Sequence, residues 1–224
     1  MSTSENSPHT SPVSAMLGYI DSTAVVSEGL QAALAHAQEY SLPAPDATVG
    51  QLLTTLAASA THPDNPKSAG VIAVSPASSV VGLYLLQGLP EKGVLTCIDP
   101  EVEHQRHAKH AFREAGYSAS RIRFLPSRPL DVMGRLAAAS YQVIYADVPS
   151  TDLPKLVETA WPLLGRRGTL VLANSLLDGT IGDSSRNDRA THAAQTADEY
   201  CRKLDDAIVT RLPLGSGLTL VTKL

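Results

Sequence analysis

The chain of 224 residues, 43% hydrophobic and 18% charged, is long enough for one sizeable core and too short for two ordinary domains with linkers. Its formal net charge of -4 leaves no basic footprint, so nucleic acid is not an expected partner. No apolar run approaches the ~20 residues that cross a bilayer, and the polar start MSTSENSPHTSP lacks the basic and apolar stretches of a secretory signal, so a cytoplasmic protein without a membrane partner is expected.

In chain order, residues 1–14 read as a disordered tail and 15–224 as a single domain, with a helical lead over 15–66 and an α/β core over 67–224. Residues 24–40 place Val25, Val26, Leu30, Leu34 and Ala37 at mixed three- and four-residue spacing, as a helix with one buried face requires. Pro43 and Pro45 break that helix, a second is expected over 49–60 with Thr48 as its N-cap, and residues 61–67 are turn chemistry.

The core opens with the strand VIAV (71–74), the loop Ser75-Pro76-Ala77-Ser78-Ser79, the apolar helix VVGLYLLQGL and the strand VLTCI (94–98), which ends at Asp99. That is the first half of a nucleotide-binding α/β unit, in which an acid about 20 residues beyond the first turn accepts hydrogen bonds from a ribose. The loop has no glycine. Further strands are expected at 122–125, at 142–146 and from Thr169, alternating with helices over 103–115, 130–139 and 153–164; Gly116 is placed to end the first of these. Strands too apolar to show a wet face imply a parallel sheet covered by helices on both sides. A polar helix over 187–205 then leads to two strand-like runs joined through Gly215-Ser216-Gly217, a hairpin that adds an antiparallel edge. Ligands of open α/β sheets bind beyond the carboxyl ends of the strands, which directs attention to 75–79, 99–101, 127–129, 147–150 and 174–178.

The stretches LTCIDP with RHAKHAFREAGY, IYADV, GTLVLANSLLDGTI and PLGSGLTLVTK, in that order and spacing, resemble the S-adenosylmethionine-dependent O-methyltransferases of the catechol and caffeoyl-CoA type. The resemblance, to a divergent bacterial-type member, covers 48–224 and implies an α/β, Rossmann-like methyltransferase fold: a mostly parallel seven-stranded sheet with a C-terminal antiparallel hairpin and helices on both faces. It further implies that Asp99, beside Pro100, binds the ribose of S-adenosylmethionine, that Val74, Ser75, Ala77 and Ser79 wrap its methionine part, that Ser127 and Arg128 flank the adenine, and that Asp147 lies at the reacting methyl.

Family members also carry a divalent cation, and the resemblance assigns it to Asp147 and Asn174. The intervening ligand position is Ala173, and one carboxylate with one amide holds Mg²⁺ poorly because that ion gives up its water reluctantly. Ser150 stands where the family has a catalytic lysine. The family's Glu-x-Gly-x-x-x-Gly loop reads Ala73-Val74-Ser75-Pro76-Ala77-Ser78-Ser79, a change that costs roughly 1 kcal/mol wherever a glycine had held a positive φ.

Other residues have plainer assignments. His104, His107 and His110 share a drifting face of one helix and read as solvated; Asp178, Asp183 and Arg186, in a glycine-rich loop, could face an acceptor or simply solvent; Tyr145 and Trp161 read as core, and Cys97 and Cys201 as unpaired. The expected function is methyl transfer to an oxygen of a small hydroxylated acceptor by a homodimer that joins through the lead helices. Two alternatives stand beside it: a degenerate member that binds cofactor or a partner without catalysis, and a nicotinamide-dependent oxidoreductase, which lacks a glycine loop for the pyrophosphate.

Overall fold

The computed structural model describes residues 11–59 and 70–224. The expected turn at 61–67, with His62, and the first ten residues of the expected tail lie outside that range. Seven strands form one sheet in the order β3-β2-β1-β4-β5-β7-β6. They are β1 Gly70–Val74, β2 Val94–Ile98, β3 Ile122–Leu125, β4 Tyr141–Ala146, β5 Leu164–Leu172, β6 Ala207–Leu212 and β7 Leu218–Lys223. The first five run parallel, while β7 pairs antiparallel with both β5 and β6. The hairpin therefore folds back so that its second strand lies inside and β6 forms the edge.

The period of two along each strand sorts side chains between two cores. Val71, Ala73, Leu95, Cys97, Val143 and Tyr145 face one side, where α2 (Glu28–Glu39), α3 (Ala47–Ser59), α4 (Ser78–Gly88) and α5 (Val102–Glu114) pack. Ile72, Val74, Ile98, Ile144 and Ala146 face the other, covered by α7 (Leu153–Ala160) and α8 (Arg189–Arg202). Helix α4 is buried nearly all round because the sheet, α3 and α5 enclose it. Cys97 and Cys201 are unpaired and buried.

Several local expectations change. Residues 12–14 open a further helix, α1 (Pro12–Thr23), whose first turn is capped by the Ser11 hydroxyl accepting from Ser14 N–H at 3.1 Å. The cap of α3 is Asp46, whose Oδ1 accepts from Val49 N–H at 2.8 Å, and not Thr48, whose hydroxyl is buried without a partner among the described residues. The helix expected over 130–139 shortens to α6 (Pro129–Val132) and one 3₁₀ turn, Met133–Arg135. Gly134 weakens the helix there, and the N–H groups of Ala139 and Ser140 donate instead to the carbonyls of Pro162 and Leu163 at 2.9 Å.

Helix α7 likewise ends early, in a 3₁₀ turn over Trp161–Leu163 that contains a proline. Strand β5 begins five residues before Thr169, and the register slips between Tyr141↔Leu164 and Val143↔Thr169, so Gly165 and Gly168 lie inside an irregular strand and not in a separate turn. Gly116 adopts φ +83 just beyond α5, as its position predicts.

Candidate active site

A cavity of about 620 Å³ lies across the carboxyl ends of β1, β2 and β4, a size ordinary for small-molecule sites. It gathers Val74, Ser75, Asp99, Pro100, Arg128 and Asp147 from the residues singled out in the sequence. Ala77, Ser79, Ser127 and Asn174 do not line it. Ala77 and Ser79 are buried at the start of α4, where the Ala77 carbonyl accepts the first helical bonds from Val80 and Val81. Ser75 Oγ accepts from Ala77 N–H at 3.1 Å and so braces the loop. None of residues 75–79 has a positive φ, so the absence of glycine costs no backbone strain here.

Asp99 is 3% exposed and wrapped by the start of α5. Its Oδ1 accepts from Glu101 N–H at 3.1 Å, and its Oδ2 lies 2.8 Å from His104 Nδ1. Its carbonyl accepts from Gln105 Nε2 at 2.8 Å, and the same amide donates to the Leu125 carbonyl at 2.9 Å. The expected solvated histidine face is therefore only partly so. His104 turns onto Asp99 and lines the cavity; His107 stacks on His36 of α2 with ring centroids 3.5 Å apart; His110 alone is exposed. Spacing along α5 could not reveal this, because the partners come from a strand end and from the lead.

Glu101, Asp131 and Asp152 also line the cavity. With Asp99 and Asp147 they make five carboxylates against the single guanidinium of Arg128. Such a wall attracts cationic ligands and repels polyanionic ones.

Asp147 follows β4 and lines a second, smaller cavity of about 190 Å³ as well. The other walls come from Pro43, Pro45 and Asp46 of the lead, and from Tyr145, Ala173 and Asn174. Asn174, at φ +53, donates from Nδ2 to Asp147 Oδ1 at 3.1 Å. Asp147 Oδ2 is buried with no hydrogen-bond partner among the described residues. Burial pushes the Asp147 carboxyl above the usual carboxylate range, and the Asn174 hydrogen bond opposes that shift.

Asp147 and Asn174 are thus brought together, but as donor and acceptor of one hydrogen bond, with the Ala173 methyl beside them. That donor set does not fit Mg²⁺, which needs near-octahedral oxygen ligands. Among the described residues, no three His, Cys, Asp or Glu side chains are arranged to hold a metal ion. Asp178, Asp183 and Arg186 line neither cavity: Asp183 accepts from the Ser185 N–H and hydroxyl, and Arg186 pairs with Asp188 at 3.6 Å. Trp161 packs with Lys223 Nζ 5.1 Å from its ring centroid, and Tyr145, although buried, contributes to the small cavity.

A sheet ordered 3-2-1-4-5-7-6, with its ligand cavity across the ends of the first, second and fourth strands, defines the Rossmann-like methyltransferase class. The profile of the O-methyltransferase family matches residues 72–224, and the chain belongs to that family. A protein of Mycobacterium sp. strain KMS, provisionally named an O-methyltransferase, is 38% identical over 170 residues, 76% of this chain and 74% of its own. One of Mycobacteroides abscessus with the same provisional name is 32% identical over 213 residues, 95% of this chain and 96% of its own. The crystal structure of a Corynebacterium glutamicum protein is 56% identical with a TM-score of 0.91, over 95% of this chain and 97% of that one. The fold is shared, at 23% identity and a TM-score of 0.81, with the O-methyltransferase TomG of Streptomyces achromogenes, solved with S-adenosylmethionine; the match covers 93% of this chain and 96% of that one.

Proposed function

We propose that the protein transfers a methyl group from S-adenosylmethionine to an oxygen of a small hydroxylated acceptor. The observation that carries this is the position of Asp147, shared by a cavity of about 620 Å³ and one of about 190 Å³. The larger takes the cofactor, with the ribose at Asp99 and Pro100, the adenine beside Arg128, and the methionine part along Val74 and Ser75. The smaller takes the acceptor. Its oxygen lone pair forms the new O–CH₃ bond in line with the breaking C–S bond, whose electron pair returns to sulfur. The acceptor proton passes to Asp147 Oδ2, and proximity supplies much of the acceleration.

The five carboxylates around the large cavity suit the sulfonium and ammonium of this cofactor and oppose the pyrophosphate of a nicotinamide dinucleotide. No step is assigned to a divalent cation. A chain that binds the cofactor without turnover is the alternative, favoured by Ala173 and Ser150 at positions where the family has a ligand and a lysine.

Calorimetry with S-adenosylmethionine and S-adenosylhomocysteine tests the cofactor assignment, and no binding of either at millimolar concentration overturns it. Methyl transfer from labelled cofactor to any member of a phenol and polyol panel separates catalysis from mere binding. We place the protein in the cytoplasm, where two unpaired buried cysteines remain reduced; among the described residues no helix is long and apolar enough to cross a membrane. We also assign a homodimer, supported by α1, which buries none of its residues and exposes Val13, Met16 and Tyr19.

A further inference from the structure

We propose that His104 is a cofactor-positioning residue, which holds the Asp99 carboxylate in the rotamer that presents its remaining lone pairs to the ribose diol. This rests on Asp99 as the ribose acceptor. His104 occupies the third position of α5, where a side chain reaches back over the helix start. Its Nδ1 meets Asp99 Oδ2 at 2.8 Å while Glu101 N–H holds Oδ1 at 3.1 Å, so the protein grips both oxygens. An ionised carboxylate has about four lone-pair sites, and two such bonds leave one on each oxygen, the pattern that two neighbouring hydroxyls require.

The grip is not needed to hold the chain in place. The Asp99 backbone is already anchored through Gln105, which bridges the Asp99 and Leu125 carbonyls. The His104 bond acts on the side chain alone, at a ring that is 20% exposed and forms part of the cavity wall. A free carboxylate rotates about its χ angles, and fixing it before the ligand arrives lowers the ordering cost of binding.

The test is calorimetric binding of S-adenosylhomocysteine to the full chain and to His104→Ala, His104→Asn, Asp99→Ala and the Asp99→Ala/His104→Ala double variant. Asparagine places an amide nitrogen close to the Nδ1 position. The expected result is a loss of about tenfold for His104→Ala, for one charge-assisted hydrogen bond, and recovery to within about threefold of the parent for His104→Asn. In the Asp99→Ala background, removing His104 should cost nothing more, because the group it positions is gone.

Losses that add, an unchanged affinity in folded His104→Ala, or failure of His104→Asn to recover binding would each overturn the role. A parent protein that binds no S-adenosylhomocysteine overturns the cofactor assignment itself. A parent that binds, with affinity indifferent to His104, overturns only the positioning role.

Discussion

At the residue scale the site turns on two strand-end carboxylates with different surroundings. Asp99 is held by one neighbour at each oxygen, whereas Asp147 keeps one buried oxygen without a partner among the described residues and faces both cavities. An ionised carboxylate at that junction favours a sulfonium over a neutral thioether. Asp147→Asn should therefore lower affinity for S-adenosylmethionine by about tenfold while leaving S-adenosylhomocysteine nearly unchanged, a Coulombic difference at intermediate dielectric. Equal losses for the two ligands, measured by calorimetry without acceptor, would remove Asp147 from the neighbourhood of the methyl. Asp99 and Asp147 were legible in the sequence because each ends an apolar strand. His104 was not, because its partner depends on how the first turn of α5 is phased against the end of β2.

At the element scale, α4 follows the loop whose Ser75 and Pro76 line the large cavity, and its position depends on close packing against α3. A Cβ added at Gly88 would run into the Thr54 carbonyl and lie 3.0 Å from Ala57 Cβ, while Thr54 Oγ1 donates to the Tyr84 carbonyl at 2.8 Å. Gly88→Ala should cost about 1–3 kcal/mol as overpacking and lower Tm by about 2–12 °C in a chain of this size; calorimetric melting at the parent's midpoint would exclude so tight a contact.

The joint between α2 and α5 is a pair of stacked imidazoles. Burial lowers the pKa of both below the ordinary 6.5. Glu39 opposes the shift at His36 and His104 adds to it, while His36 and His110 add to it at His107. Between those lowered values and about 6.5 the unfolded chain binds more protons than the folded one. Stability contributed by the pair is thus complete above the ordinary value and is lost as the pH falls through the lowered ones. His107→Phe, which keeps a ring to stack, should flatten the decline of Tm between pH 7.5 and 5.5; an unaltered slope would assign that decline to other groups.

At the scale of the whole molecule, α1 packs on α3 yet leaves Val13, Met16 and Tyr19 exposed among the described residues. If a second copy covers them, sedimentation should give twice the 23.6 kDa chain mass at micromolar concentration, and Tyr19→Glu should shift the population toward monomer. A parent protein sedimenting as a single chain across that range would remove the dimer assignment.

Alternation of apolar strands with helices was enough to establish the parallel sheet covered on both sides, and the two runs joined through Gly215-Ser216-Gly217 its antiparallel end. Burial follows side-chain type and period, which are local properties. Only the tertiary structure decided that residues of the lead near Pro43 wall the small cavity, that Asn174 donates a hydrogen bond to Asp147, and that His104 grips Asp99. Those contacts join segments far apart in sequence or depend on the phase of a helix against a strand end, and side-chain chemistry alone carries no distance between them.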